Sequence, residues 1–167
     1  MSKIGHRIAT LFGGRRTRAA ASAAAFHSPA DAEAALGRHR DEALRALERA
    51  AVVSAAFSPD YSVESLRALD AWYHDLWQRD AFLDLAAGRD EFERWMAFYY
   101  GAVAVRNNPD AQWVVLPHPA GGGRFELGVR RGETTVAIDA FRDHYKTFMM
   151  TRRPRQSIYR QYRDEWK

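Results

Sequence analysis

The sequence feature that most constrains the fold is a change in residue pattern near position 112. Before it, apolar residues recur at spacings of three and four, which is typical of amphipathic helices. After it come short β-branched and aromatic runs separated by glycine-containing turns, which are typical of antiparallel strands. Because helices come first and strands later, without alternation, the sequence predicts an α+β domain. In it, N-terminal helices pack on a three-stranded antiparallel meander, and C-terminal helices follow.

Helix boundaries follow from capping residues. Ser28 and Pro29 predict the start of a long, alanine-rich helix that ends near Ala56. Ser62 is predicted to cap a second helix, and a break near residues 79–80 leads into a short helix around 82–85. Asp90 is predicted to cap a third long helix, which ends before Pro109. The predicted apolar face of this third helix contains Phe92, Trp95, Met96, Tyr99, Tyr100 and Val103.

Three strands are predicted at residues 113–116, 125–129 and 134–138. Asp139 is predicted to cap a helix that extends to about residue 150. A last short helix carries Ile158, Tyr159, Tyr162 and Trp166 on one side.

The 167 residues suffice for one domain with a hydrophobic core. The predicted organisation is a basic, partly amphipathic and flexible leader at 1–28, a single α+β domain at 29–150, and a basic, aromatic helix at 151–167 docked on that domain. The absence of cysteine excludes disulfides, thiolate nucleophiles and cysteine-ligated metals. No apolar run is long enough to cross a bilayer, so no transmembrane segment is predicted and the expected location is the cytoplasm.

Charge is distributed unevenly along the chain. Residues 1–30 and residues 142–167 each carry +5, whereas residues 31–141 carry −6. Basic ends indicate contact with something anionic, which could be nucleic acid, a membrane surface or the acidic body of the same protein. The acid-free start, with Ile4, Ile8, Leu11 and Phe12 at helical spacing, leaves targeting, docking and disordered roles open for residues 1–28.

Residues 61–148 resemble a group of small, uncharacterised bacterial α+β domains. The resemblance rests on a helix with a Ser-x-x-x-Leu-x-x-Leu-Asp pattern, a later Gly-x-Val helix end and a strand that begins with tryptophan. In this chain these features are represented by residues 62–70, which include Ser65, Leu66, Leu69 and Asp70, by Gly101-Ala102-Val103, and by Trp113. The resemblance implies a fold and suggests an immunity or accessory role. Relatives often carry glutamate where this chain has Ala102.

No catalytic set, metal site or cofactor is predicted. His74-Asp75 and Asp143-His144 are imidazole–carboxylate neighbours, but adjacent helical residues point in different directions. No Gly-x-Ser-x-Gly elbow is present, and the six histidines show no His-x-x-x-His or Glu-x-x-His spacing. Residues 121–123 are glycines between two strands, which indicates a hairpin loop rather than a phosphate-binding loop.

Two sets of residues are predicted to contact partners. The aromatic residues of the helices exceed what a small core usually takes, and Trp and Tyr are enriched in protein interfaces. This predicts a protein-binding or self-association face that includes Trp72, Tyr73, Trp77, Trp95 and Tyr99. Arginines interleaved with aromatics near the C-terminus, together with the basic run near the N-terminus, predict anion or nucleic-acid contacts. The arginines concerned are Arg15, Arg16, Arg18, Arg152, Arg153, Arg155, Arg160 and Arg163.

The sequence therefore predicts a non-catalytic module that binds another protein or a second copy of itself. An immunity or accessory role is the suggested context. One alternative is a nucleic-acid-binding protein that uses its basic ends, and another is peripheral membrane association through residues 3–12.

Overall fold

The computed structural model of the protein describes residues 25–55, 57–139 and 157–166. These residues form four α-helices, one short 3₁₀ helix and three strands, which confirms the predicted α+β class. In chain order the elements are α1 (Pro29–Ser54), α2 (Ser65–Arg79), the 3₁₀ helix (Phe82–Leu85), α3 (Arg89–Asn107), β1 (Gln112–Pro117), β2 (Phe125–Arg131), β3 (Thr134–Ala137) and α4 (Ser157–Glu165). The predicted leader up to residue 24 and the predicted helix at 140–150 lie outside the described residues.

The sheet is the predicted antiparallel meander, in the order β1-β2-β3. Val129 of β2 lies opposite Trp113 on one side and Val136 on the other, so these side chains share one face. Gly121, Gly122 and Gly123 all have positive φ, which only glycine adopts without strain, and they form the predicted loop between β1 and β2. The backbone N–H of Phe26 donates to the carbonyl of Gly123 at 3.0 Å, which holds residues 25–26 against this loop.

The N-cap residue predicted from the sequence is confirmed for α1, whereas those predicted for α2 and α3 do not occupy the N-cap position. Ser28 caps α1 by accepting a hydrogen bond from the N–H of Asp31 at 3.2 Å. Ser62 does not cap α2, because its hydroxyl accepts from the N–H of Ser65 within a turn that precedes the helix. Gly88 takes the N-cap position of α3 in an extended conformation. Asp90 therefore lies in the first turn, where its charge favours the positive helix end.

Helix α3 is the centre of the core. The sequence predicted one apolar face, but the helix is buried on several sides, and Ala97, Phe98 and Ala104 are enclosed as well. The reason is that α1, α4 and the sheet all contact it. Its neighbours in the core include Leu47 from α1, Leu66, Leu69, Trp72, Tyr73 and Leu76 from α2, and Leu127 and Val129 from β2.

A glycine sets the distance between α3 and the sheet. A Cβ added to Gly101 would lie 2.4 Å from a ring carbon of Trp113 and 3.1 Å from Ile138. The Gly-x-Val helix end and the strand-leading tryptophan, which were separate elements of the sequence resemblance, are thus in direct contact. The indole of Trp113 occupies the space that a side chain at position 101 would need.

Helix α4 docks on α3 through its aromatic side. Ile158, Tyr159, Tyr162 and Trp166 are all buried. The indole N–H of Trp166 donates to the hydroxyl of Tyr100 at 3.1 Å, and the side-chain amide of Asn108 donates to the hydroxyl of Tyr162 at 2.9 Å. The docking therefore combines buried apolar area with directed hydrogen bonds.

None of the helices in the described part of the chain is both long enough and apolar enough to traverse a bilayer.

Candidate functional site

Four of the five aromatic residues predicted to form a contact face belong to the core. Trp72, Tyr73, Trp95 and Tyr99 are buried, whereas Trp77 is 40% exposed. The prediction is corrected for the four buried residues, because enclosed rings offer no surface to a partner in this fold. Their rings pack on one another, as in the stacked pair of Phe57 with Trp72 and the edge contact of Trp72 with Phe92.

Two of the eight arginines predicted to contact anions lie in described residues. Arg160 and Arg163 are exposed on α4, and the Arg163 guanidinium lies 6.0 Å from the centre of the Tyr159 ring. The other six lie outside the described residues: Arg15, Arg16, Arg18, Arg152, Arg153 and Arg155.

The exposed Trp77 borders a surface depression of about 370 Å³ where α2 ends, which we call the Trp77 surface. Asp80 ends α2 in the left-handed conformation and redirects the chain into the 3₁₀ helix. That helix turns Phe82 inward and leaves Leu83 81% exposed. The lining residues are Trp77, Asp80, Phe82, Leu83 and Arg89.

A buried polar pair, Tyr73 and Glu93, lies beneath the Trp77 surface. The hydroxyl of Tyr73 donates to Oε1 of Glu93 at 2.7 Å, and Nε of Arg89 lies 3.4 Å from the same oxygen. The Arg89 guanidinium also lies 4.5 Å from the centre of the Trp77 ring. Burial, and then the negative charge of Glu93, raise the pKa of Tyr73. The cation over Trp77 is therefore held in place by a carboxylate in the core.

The Trp77 surface lies in the most acidic part of the chain. Residues 60–93 contain nine Asp or Glu and three Arg, which gives a net charge of −6. Within the described residues, the carboxylate of Asp80 makes no ion pair, whereas Arg89 is paired with Glu93. The uncompensated charge at the surface is thus negative.

A second groove, of about 240 Å³, lies between α1 and α3. Burial, and then the positive charge of Arg94, lower the pKa of His39, whose ring meets Phe98 edge-on. The ring of His74, the imidazole of the predicted His74-Asp75 neighbour pair, packs edge-on against the Tyr73 ring. Its Nε2 is enclosed and has no hydrogen-bond partner among the described residues.

A third feature is a cluster of His118, Glu126 and Asp139 at one end of the sheet. One ligand atom from each side chain lies within 4.8 Å of the other two. Spacings typical of helices do not reveal this set, because its members come from strands and strand ends. The predicted meander could have indicated it, because in such a meander the end of β1, the start of β2 and the end of β3 lie at the same end of the sheet.

The comparisons with known proteins give a family without an assigned activity. A protein of Bacillus subtilis (strain 168) described as "Uncharacterized protein YwmA" is 34% identical over 71 residues. That match covers 42% of this chain and 45% of the relative. No solved structure matches this chain. A family model described as "Uncharacterised protein YwmA" matches residues 25–165, which span the sheet and all four described helices. The prediction of a small uncharacterised bacterial family is thereby confirmed, and the chain belongs to the YwmA family.

Proposed function

We propose that this protein is a non-catalytic module that binds another protein, and that the Trp77 surface receives a basic segment of that partner. The segment presents one apolar side chain flanked by lysine or arginine. The observation that carries the proposal is the exposed pair Trp77 and Leu83 beside a depression of about 370 Å³.

Hydrophobic burial supports an apolar contact at this position. Leu83 is 81% exposed although it is a large aliphatic side chain, and covering it would remove apolar area from water. Tryptophan is enriched among interface residues that contribute most to binding, and the ring of Trp77 is already fixed by Tyr73 and Arg89. A fixed ring loses little conformational freedom when a partner binds.

Charge complementarity supports a basic partner. Residues 60–93 carry −6, and Asp80 at the lining of the depression has no cation paired with it among the described residues. A lysine or arginine beside the inserted apolar side chain would lie close to this carboxylate. Such pairing raises association rates and disfavours acidic partners.

The wider role stays a prediction. An immunity or accessory function, self-association and a cytoplasmic location are compatible with binding of this kind. The nucleic-acid alternative rests mainly on arginines outside the described residues, and the membrane alternative rests on residues 3–12, which also lie outside them.

The test is selection of random peptides displayed on phage against the immobilised full chain. We expect enriched peptides to combine Lys or Arg with a neighbouring Leu, Phe or Trp. Leu83→Ser should weaken their binding at least about tenfold, as expected for loss of a central interface contact. Val53→Ser is the matched control, since Val53 is 83% exposed and apolar but belongs to α1.

Three results would overturn the proposal. One is the absence of enriched sequences, and another is enrichment of acidic ones. The third is equal binding by the Leu83→Ser and Val53→Ser proteins, because the contact would then lie elsewhere. Binding that weakens as salt increases would support the charge argument, since surface attraction is screened by ions.

A further inference from the structure

We propose that His118, Glu126 and Asp139 form a binding site for a divalent metal ion of the zinc class. This site is independent of the Trp77 surface, because its residues come from the sheet rather than from α2 and the 3₁₀ helix.

Sheet topology brings the three side chains together. The N–H of His118 donates to the carbonyl of Arg124 at 2.9 Å, so the pairing of β1 with β2 continues one residue beyond Pro117. Leu116 lies opposite Glu126, and His118 is two residues further along the same face, which makes His118 and Glu126 diagonal neighbours. Asp139 follows the end of β3, which lies beside the beginning of β2. The three candidate ligands therefore come from three different strands or strand ends, and the pairing of these strands sets their separation.

The donor set suits a borderline divalent cation. One imidazole nitrogen and two carboxylate oxygens are ligands that zinc accepts, and three protein ligands leave a position for water. Two carboxylates balance the charge of the ion when the imidazole is neutral. The presence of an imidazole favours zinc over calcium or magnesium, which prefer oxygen ligands.

Burial of Glu126 strengthens the argument. This residue is 7% exposed and lies on the opposite face of β2 from Leu127 and Val129. A divalent cation between Glu126 and Asp139 would be attracted to both carboxylates, and an ion that binds only the folded chain would stabilise it.

The ligand atoms need a small inward movement to bind an ion. Atoms around a tetrahedral zinc at about 2.0–2.1 Å are roughly 3.3 Å apart, whereas here they lie within 4.8 Å. Rotation about the side-chain torsions of His118, which lies at the start of the glycine loop, would supply this movement without changing its backbone hydrogen bonds to Arg124 and Gly121. Nδ1 of His118 now accepts a hydrogen bond from the N–H of Ala120 at 3.1 Å. Ion binding would break this hydrogen bond in either of two ways. If Nδ1 coordinates the ion, its lone pair is used; if Nε2 coordinates the ion, the proton of Nε2 moves to Nδ1, which then cannot accept.

The experiment is calorimetric titration of the untagged full chain with zinc chloride, with calcium chloride as a second arm. We expect saturable binding of one zinc ion per chain and weaker binding of calcium. Glu126→Gln and His118→Gln should each weaken zinc affinity at least about tenfold. Loss of a residue that only hydrogen-bonds to a metal ligand already lowers affinity by about this factor, so loss of a ligand should cost at least as much. Glu133→Gln is the matched control, since Glu133 is an exposed carboxylate in the turn between β2 and β3.

A second measurement on the unaltered protein keeps the test decisive if a variant fails to fold. In amide NMR spectra, zinc should shift the resonance of the Ala120 N–H, because this group loses its hydrogen bond to Nδ1 of His118. The proposal is overturned if zinc gives no saturable binding. It is also overturned if both variants bind zinc as the unaltered protein does, or if the Ala120 resonance stays in place while zinc binds.

Discussion

The helical part of the molecule and its sheet fill their shared interior in different ways. Among the helices the core is rich in aromatic rings, and several tyrosine hydroxyls make hydrogen bonds inside the protein. The hydroxyl of Tyr73 donates to Glu93, that of Tyr100 to Glu165, and that of Tyr99 accepts the N–H of Tyr61. At the sheet, close approach depends on missing side chains. Gly101 leaves room for Trp113, and Gly128 leaves room for Leu116.

This difference implies two kinds of sensitivity. A core of hydrogen-bonded tyrosines is sensitive to ionisation, because a buried phenolate near a carboxylate is strongly disfavoured. A contact that depends on glycine is sensitive to volume, because a single added methyl group meets an enclosed ring. Changes of pH should therefore act on the helical part, and substitutions that add volume should act on the contact with the sheet.

The largest expected effect is alkaline unfolding. Burial is the main cause that raises the pKa of Tyr61, Tyr73, Tyr99, Tyr100 and Tyr162 above the ordinary value of 10.0. Above pH 10 the unfolded chain releases these protons while the folded chain keeps them, so the free energy of unfolding falls as pH rises. Far-UV circular dichroism and tyrosinate absorbance should change together in one cooperative step. Smooth tyrosinate formation in a protein that stays folded would contradict this expectation.

A smaller effect is expected for a methyl group at the contact between α3 and the sheet. Gly101→Ala places a Cβ 2.4 Å from the Trp113 ring and should lower the free energy of unfolding by about 2–3 kcal/mol. Gly37→Ala, in α1, is the control, because nothing lies within 4 Å of its added Cβ. This control should stabilise the protein by about 0.5–1 kcal/mol. Urea denaturation measures both, and equal effects would show that helix propensity alone governs these positions.

The smallest effect is expected for removal of one buried hydroxyl. Tyr100→Phe removes the hydrogen bond that the hydroxyl donates to Glu165 and the one that it accepts from the indole N–H of Trp166. The free energy of unfolding should fall by about 1–2 kcal/mol. Tyr159→Phe is the control, since its hydroxyl makes a longer bond of 3.2 Å to Glu64, whose side chain is 68% exposed. Thermal denaturation of the two variants should show the larger decrease in melting temperature for Tyr100→Phe. A larger decrease for Tyr159→Phe would indicate that these hydroxyls do not stabilise the docking of α4.

Local patterns predicted the fold better than the site. Periodicity and turn residues located the described helices and strands, since these signals act over a few neighbouring residues. Exposure was harder to predict, because Tyr73 and Trp77 lie one helical turn apart on the same side of α2 and only the tertiary packing leaves one buried and the other exposed. The ligand cluster was missed for a related reason. Its members are separated by 8 and 13 residues in the chain, and only the register of the sheet brings them together.

The backbone of Tyr61 bears on the order of events during folding. This residue adopts a left-handed conformation with φ of 60°, which is costly for a side chain of its size. It is held there by residues of the third helix: its N–H donates to the Tyr99 hydroxyl, its carbonyl accepts from Asn107, and Arg106 lies over its ring. Those partners are separated from it by 38 to 46 positions along the chain. We therefore expect the strained turn between the first two helices to close only after the third helix is in place, and mutations within it to speed unfolding more than they slow folding.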